Sequence, residues 1–291
     1  TSFSSRASQY WYLSSTVKIP VAIALLKQVD QKKIKLSEKV KIRKTDYRDG
    51  AGPVNGLKPG KRVSDKYLLN KMSQSSDNAA TDLIIKRIGI KTVNKYVSQY
   101  TGKKSFGPIT SLLDVRRKAY SEFHPRANSL SNFAFFAIKK QKKTHKKVSE
   151  LAKQLKVSRK SLKLQSYDAG FKKYYARNWN SAPLTSYAAL LEKLVAGRIL
   201  SKTSTQVLIG ILSKIHTGKK RVLSGLSKNT FFAHKTGTQH RQACDLGIAG
   251  NKRKGKPKVL ILVCAKNWKK LSRAEKLMSQ IGRIVSKTDL L

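Results

Sequence analysis

A chain of 291 residues is long enough for one large domain with a sizeable buried core. Lys and Arg number 62 against 15 Asp and Glu, a formal net charge of +47. That balance favours polyanions such as nucleic acid, anionic lipid or anionic wall polymer. The lysines are spread along the chain, so the first reading is a solvated surface with non-specific affinity for anionic polymers. Apolar runs at 19–26 and 259–265 argue against disorder, and neither approaches the length of a membrane span. The chain starts at Thr1 without a charged-then-apolar leader, so a signal peptide is expected to be removed or absent.

In chain order, residues 19–28 predict an apolar helix whose first turn includes 14–18. Residues 50–60 are rich in Gly and Pro and predict a loop. Residues 63–89 carry helical periodicity with a polar interruption at 73–78. Short helices are expected at 91–100 and 112–123. A basic stretch then contains the apolar patch 133–138, the run 139–147 and two amphipathic segments, 148–155 and 159–164. Helices follow at 185–195 and 205–214, strands at 231–235, 243–250 and 258–265, and a closing helix at 272–285. No internal repeat and no clean linker appears, which predicts one domain of helices, an antiparallel sheet and a terminal helix.

The two cysteines, Cys244 and Cys264, lie on the last two predicted strands. Pairing Gly250 with Lys258 sets them opposite each other on one face of the hairpin. The expectation is two adjacent buried thiols, with a cross-strand disulfide as the alternative. No further Cys or His sits at ligand spacing, so no metal is expected.

Ser15 and Lys18 form Ser-x-x-Lys at the start of the apolar helix, and Ser15 is the only Ser with Lys three residues on. That spacing puts the amine beside the hydroxyl. The helix N-terminus adds N–H groups suited to a developing oxyanion. A Lys in a dry site loses its proton readily and can take one from Ser. Ser76-Asp77-Asn78 places small polar groups at a helix break. Lys235-Thr236-Gly237-Thr238 closes the first predicted strand with a cation, two hydroxyls and a glycine that lets a ligand approach the backbone.

Together, in this order, the three motifs resemble the penicillin-recognising serine enzymes, most closely class A β-lactamases. The resemblance runs from about Trp11 onward, with Gly56-Leu57-Lys58-Pro59-Gly60 and Thr185-Ser186 as fitting flanks. It implies an α/β (α+β type) β-lactamase/transpeptidase-like fold, an antiparallel sheet flanked by helices plus an all-α subdomain. The expected layout is a single domain over 1–291, with the all-α part roughly at 19–185 and the sheet part at 1–18 plus 186–291. By resemblance, Ser15 is the acylated nucleophile, Lys18 its proton relay, and Ser76 the proton donor to the leaving nitrogen. Asn78 would hold the substrate amide. Lys235, Thr236, Gly237 and Thr238 would bind the substrate carboxylate, and Lys235 would bias Ser76. The backbone N–H groups of Ser15 and Thr238 would form the oxyanion hole. The resemblance further implies a monomer outside the cytoplasm (periplasmic or extracellular), a β-lactam or peptidoglycan-type peptide substrate, and no cofactor.

Three departures from the family pattern stand out. The loop before Thr185, residues 174–183, lacks the Glu that positions deacylating water in class A enzymes. Asn178 and Asn180 could hold a water but cannot act as a base, and Asp168 is the nearest upstream acid. The interval from Ser76 to Lys235 is long, which predicts a basic helical insertion over roughly 124–165 that covers the site. Its segment 148–162 has a weak likeness to a helix-turn-helix. Few residues precede Ser15, so part of the sheet edge is expected to be truncated or supplied from elsewhere. His234 and the pair His240-Arg241 could shape the carboxylate pocket.

Overall fold

The computed structural model describes residues 3–50, 52–255 and 257–288. Ala51 of the predicted loop and Lys256 of the predicted hairpin turn lie outside them. Strand β1 (Tyr10–Tyr12) leads through a 3-10 turn at Ser14–Val17 into α1 (Lys18–Asp30). Every residue of α1 from Lys18 to Leu26 is buried, so this helix is apolar all round and forms the central post of the fold. A short ladder joins β2 (Lys39–Lys41) to β3 (Arg62–Ser64). Helices α2 (Asp65–Gln74), α3 (Asn78–Ile88) and α4 (Ile90–Thr101) then wrap α1.

Helices α5 (Leu112–Ser121), α6 (Asn132–Lys140), α7 (Thr144–Leu155) and α8 (Tyr167–Tyr175) enclose a second core rich in Phe and Tyr. Strand β4 (Ser181–Pro183) pairs antiparallel with β1, Trp11 opposite Ala182. This pairing buries Trp11 and Tyr12 and leads into α9 (Leu184–Val195). After α10 (Lys202–Leu212) come β5 (Thr230–Gln239), β6 (Gln242–Asn251) and β7 (Pro257–Lys266), a three-stranded antiparallel sheet in the order β5-β6-β7. Helix α11 (Leu271–Ser286) packs on the sheet together with the 3-10 turn Val222–Gly225.

Strand alternation divides the residues of the sheet between two cores. Ala233, Cys244, Leu246 and Ile248 face α1, whereas Phe232, Ala243, Ala249 and Ile261 face α11. Lys235 and Gly237 therefore share the α1 side, and His234, Thr236 and Thr238 share the α11 side.

Several expectations change here. Cys244 and Cys264 form a disulfide, not two free thiols. The register does set them opposite each other, but a bulge at Ala249/Gly250 pairs Gly250 with Pro257 instead of Lys258. The amphipathic segment 159–164 holds only a 3-10 turn, Arg159–Ser161. The chain leaves α7 through Lys156 at φ +55°, a left-handed residue that ends the helix, so no reading helix follows. The helix-turn-helix likeness is thereby set aside. Helix α8 and the two short ladders went unread in the sequence. Strands of three residues are too short to display a period.

Candidate active site

Lys18 is buried at the base of α1 and surrounded by oxygens. Its Nζ lies 3.1 Å from Ser15 Oγ, 3.1 Å from Ser76 Oγ, 2.7 Å from Ser76 O and 2.8 Å from Asn78 Oδ1. An ammonium has three protons for these four oxygens. A neutral amine has two and can accept one from a hydroxyl. Burial holds Lys18 well below the ordinary lysine range, and the positive charge of Lys235 pushes it further down. The carboxylates of Asp77 and Asp82 oppose the shift, and Arg116 adds to it.

The second serine is fixed by the break between α2 and α3. Ser76 has φ +57°, a left-handed conformation that turns its hydroxyl and carbonyl together onto Lys18. Asp77 holds this turn in place. Its Oδ1 caps α3 by accepting from Ala80 N at 2.8 Å, and its Oδ2 accepts from Val54 N at 2.8 Å. Gly52, at φ +127°, lies so close that a Cβ there would sit 2.1 Å from the Asp77 carboxylate. Asn78 is held between Lys18 and the backbone, because its Nδ2 also donates to Asp49 O at 2.8 Å. One N–H of that amide is left for a ligand.

Strand β5 brings the third motif alongside. A Cβ on Gly237 would lie 2.5 Å from Leu13 O, 2.9 Å from Ser14 Cβ and 3.1 Å from Ser15 N. The glycine thus admits the Leu13–Ser15 backbone, where sequence reasoning had it admit a ligand. It also sets the N–H of Ser15 next to the strand. Cys244 and Cys264 are a close pair, Cα atoms 4.1 Å apart, so Cys244 spends its ladder hydrogen bonds on Gly237. Alternation then turns the N–H of Thr238 away from β6, to the open edge of β5. The two amides proposed for an oxyanion thus adjoin each other.

Lys235 is fully buried, with Nζ donating to Thr236 O at 3.1 Å. Burial lowers its pKa to about 7, with Asp245 opposing the change and Arg221 reinforcing it. The hydroxyls of Thr236 and Thr238 face the other way, onto residues 217–222. Thr236 Oγ1 meets Thr217 Oγ1 at 2.6 Å, and Arg221 donates to Thr238 Oγ1 at 2.6 Å. The same guanidinium reaches Gly237 O at 3.1 Å and Cys244 O at 2.9 Å.

The remaining sequence candidates fall elsewhere. Asp168 accepts from His240 Nε2 at 2.5 Å and from Arg241 at 2.7 Å, beside the β5–β6 turn. Asn180 is buried and latches Thr110, accepting from its N–H at 3.0 Å and donating to its hydroxyl at 2.9 Å. Asn178 is exposed. None of the three hydrogen-bonds to Ser15, Lys18 or Ser76 among the described residues. His234 is corrected too: it lies on the α11 side of β5, opposite to Lys235, and pairs with Asp245 Oδ1 at 2.6 Å.

A model of the beta-lactamase enzyme family matches residues 1–288, which takes in all three motifs. The chain belongs to the beta-lactamase enzyme family. A beta-lactamase of Rhodobacter capsulatus is 32% identical over 122 residues, an alignment spanning 42% of this chain and 40% of that protein. Among solved structures, a beta-lactamase from Chitinophaga pinensis matches at TM-score 0.70 and 19% identity, covering 98% of this chain and 87% of that one. A mutant PBP-A, solved as its acyl-enzyme complex with penicillin G, matches at TM-score 0.69 and 20% identity, covering 97% and 82%. At those identities the structural likeness speaks for the fold, which is the β-lactamase/penicillin-binding fold expected from the motifs.

Two residues near the family's site were not found in the sequence. Arg221 lies well before Lys235 in a Gly- and Lys-rich loop, and no local pattern marks it. Arg116, on α5, depresses Lys18 and grips Asp49 with Nε at 2.9 and 2.8 Å from the two carboxylate oxygens. Both arginines are visible only once the helices and the sheet are assembled.

Proposed function

We propose that this protein is a penicillin-recognising serine acyl-enzyme. It opens β-lactams, or cleaves D-alanyl-D-alanine-type amides, by attack of Ser15, and it hydrolyses the acyl-enzyme slowly. The observation that carries this reading is the placement of one buried amine, Lys18 Nζ, 3.1 Å from two hydroxyls, Ser15 Oγ and Ser76 Oγ.

Neutral Lys18 takes the Ser15 proton as the Oγ–C bond forms. The carbonyl oxygen gains charge between the N–H groups of Ser15 and Thr238. As the C–N bond breaks, Ser76 gives its proton to the leaving nitrogen and recovers one from Lys18. Protonated Lys235 attracts the substrate carboxylate, and the Thr236 and Thr238 hydroxyls join it by exchanging their bonds to Thr217 and Arg221 at the edge of β5. Asn78 orients Lys18 and offers its remaining N–H to the substrate amide. Water then cleaves the ester, releasing the acid and restoring Ser15.

Slow release follows from the state of the nearby acids. The Asp49 carboxylate is neutralised by Arg116, and that of Asp168 by Arg241, with the His240 ring hydrogen-bonded beside it. Asn178 and Asn180 carry no base. Arg116 takes the Lys18 environment further toward positive charge. The Cys244–Cys264 disulfide supports an oxidising compartment outside the cytoplasm.

Intact-protein mass spectrometry after exposure to benzylpenicillin tests the proposal. The expected result is a gain of one penicillin mass that is absent from Ser15→Ala. No gain on the unmutated chain overturns it.

A further inference from the structure

Behind Asn78 the fold gathers cations that the chemistry at Ser15 does not use. The side chain of Arg116, on α5, is nearly buried, at 12% exposure. Its Nε is spent on the two carboxylate oxygens of Asp49, and its Nη groups have no hydrogen-bond partner among the described residues. Neither Nη is sealed from water, so four N–H donors stand ready for an anion. Asp49 ties this guanidinium to the site, because its backbone carbonyl accepts from Asn78 Nδ2 at 2.8 Å. In the proposed mode of binding, Lys235 meets the carboxylate at one end of the substrate and Asn78 the amide on the acyl side. Arg116 thus attends the acyl end.

A chain of rings runs from Arg116 to the end of β5. Tyr120, one helical turn on, sets its hydroxyl 3.3 Å from that of Tyr167, and the Tyr167 ring centroid lies 4.9 Å from that of His240. Lys147 Nζ, from α7, stands 5.2 Å from the Tyr167 ring centroid. Partial desolvation, and after it the charge of Arg116, lowers the pKa of Lys147 and of Lys139, which lies in the last turn of α6. The three cations are close enough to act on one another. Acids do not answer them all. Asp49 neutralises one charge, Asp168 is paired with Arg241, and Glu150 of α7 accepts from Gln154 at 2.7 Å. Neither Lys139 nor Lys147 has a carboxylate partner among the described residues.

We infer that Arg116, backed by Lys139 and Lys147, forms an anion subsite that takes a carboxylate carried on the acyl part of the substrate. The inference rests on acylation at Ser15 as proposed above, and it names the class of acyl group: one with a negative charge close to its amide. Lysines alone would say little on a chain of net charge +47. A nearly buried guanidinium with idle Nη groups says more, because its planar fork matches a carboxylate. The Nη groups receive the ligand while Nε stays on Asp49, so the hold on Asn78 is not released. The basic stretch from Lys139 to Lys147 thereby serves the choice of substrate.

Two penicillins that differ by a single carboxylate test this: benzylpenicillin and α-carboxybenzylpenicillin. The second-order rate of acylation of the full chain is followed for each by intact-protein mass spectrometry, at about 0.15 M salt to screen the general surface charge. The carboxylated penicillin should react about tenfold faster than the other. Lys139→Gln with Lys147→Gln should cut that ratio about threefold. Arg116→Lys should bring it close to one, since an ammonium spent on Asp49 has no fork left for a second carboxylate. Lys91→Gln with Lys95→Gln removes the same charge from the exposed side of α4 and should leave the ratio nearly unchanged. The inference is overturned, with the reading of Ser15 intact, if both penicillins acylate the parent at the same rate. It is also overturned if the Lys91/Lys95 variant lowers the ratio as much as the Lys139/Lys147 variant, or if Arg116→Lys, folded by circular dichroism, keeps the parent's ratio. Acylation by neither penicillin overturns the reading of Ser15 and this inference with it.

Discussion

Lys18 Nζ stands 3.1 Å from Ser15 Oγ, and Lys18 is itself only 1% exposed while Ser15 is half-buried. Burial disfavours the ammonium and holds its pKa well below the ordinary lysine range, which favours the free amine that can take a proton. Lys18→Ala should therefore lower the rate of acylation by about a thousandfold or more. Lys18→Arg should not restore it, since a guanidinium cannot give up its proton. Both are read from the second-order rate of adduct formation with a chromogenic β-lactam.

The pH profile carries a second prediction. Lys235 must be protonated to hold a carboxylate, and its pKa in the free protein is about 7. The acylation rate at low substrate should fall above about pH 7, while at saturating substrate the fall should move to higher pH, because the bound carboxylate favours the ammonium. Stability should respond in the opposite direction. Between about 7 and 10.5 the unfolded chain binds a proton at this residue that the native protein does not. Stability contributed by this site therefore rises with pH across that window. Lys235→Met should raise Tm more at pH 6 than at pH 10.

Gly237→Ala tests how the third motif is fitted to the first. The added methyl would sit 2.5 Å from Leu13 O, and relief requires the Ser15 turn to move. A displacement of the nucleophile by a fraction of an ångström to an ångström costs up to about a hundredfold in rate. Acylation should slow by that order while far-UV circular dichroism stays native.

The three motifs were legible in the sequence because each is local. Ser15 and Lys18 are one helical turn apart, Ser76 to Asn78 interrupt a helix, and the Lys235 run ends a strand. The reason for Gly237 was not legible, since it lies in the Leu13 carbonyl, brought from the far end of the chain. Arg221 and Arg116 were missed because tertiary packing alone brings them in. His234 is a different case: strand alternation should have turned it away from Lys235. The thiol expectation for Cys244 and Cys264 failed although their register was read correctly, for the close pairing of β6 and β7 leaves the sulfurs within bonding reach.

The pair Arg116–Asp49 supplies a stability prediction. Both side chains are nearly buried, at 12% and 6% exposure. Asp49→Ala leaves an unpaired cation inside and should cost about 3–5 kcal/mol, a Tm loss on the order of 10 °C. The double change Asp49→Leu with Arg116→Leu should lose less than the single one, since no charge is stranded. A double-mutant cycle by thermal unfolding reads the difference.

Ser15 is proposed to be acylated and then held, because among the described residues no carboxylate hydrogen-bonds to Ser15, Lys18 or Ser76. Stopped-flow hydrolysis of a chromogenic β-lactam tests this most directly. The account predicts a burst of one equivalent per chain followed by a much slower steady state, with both phases lost in Ser15→Ala. A linear trace without a burst, at a turnover too fast for the acyl-enzyme to accumulate, would contradict it.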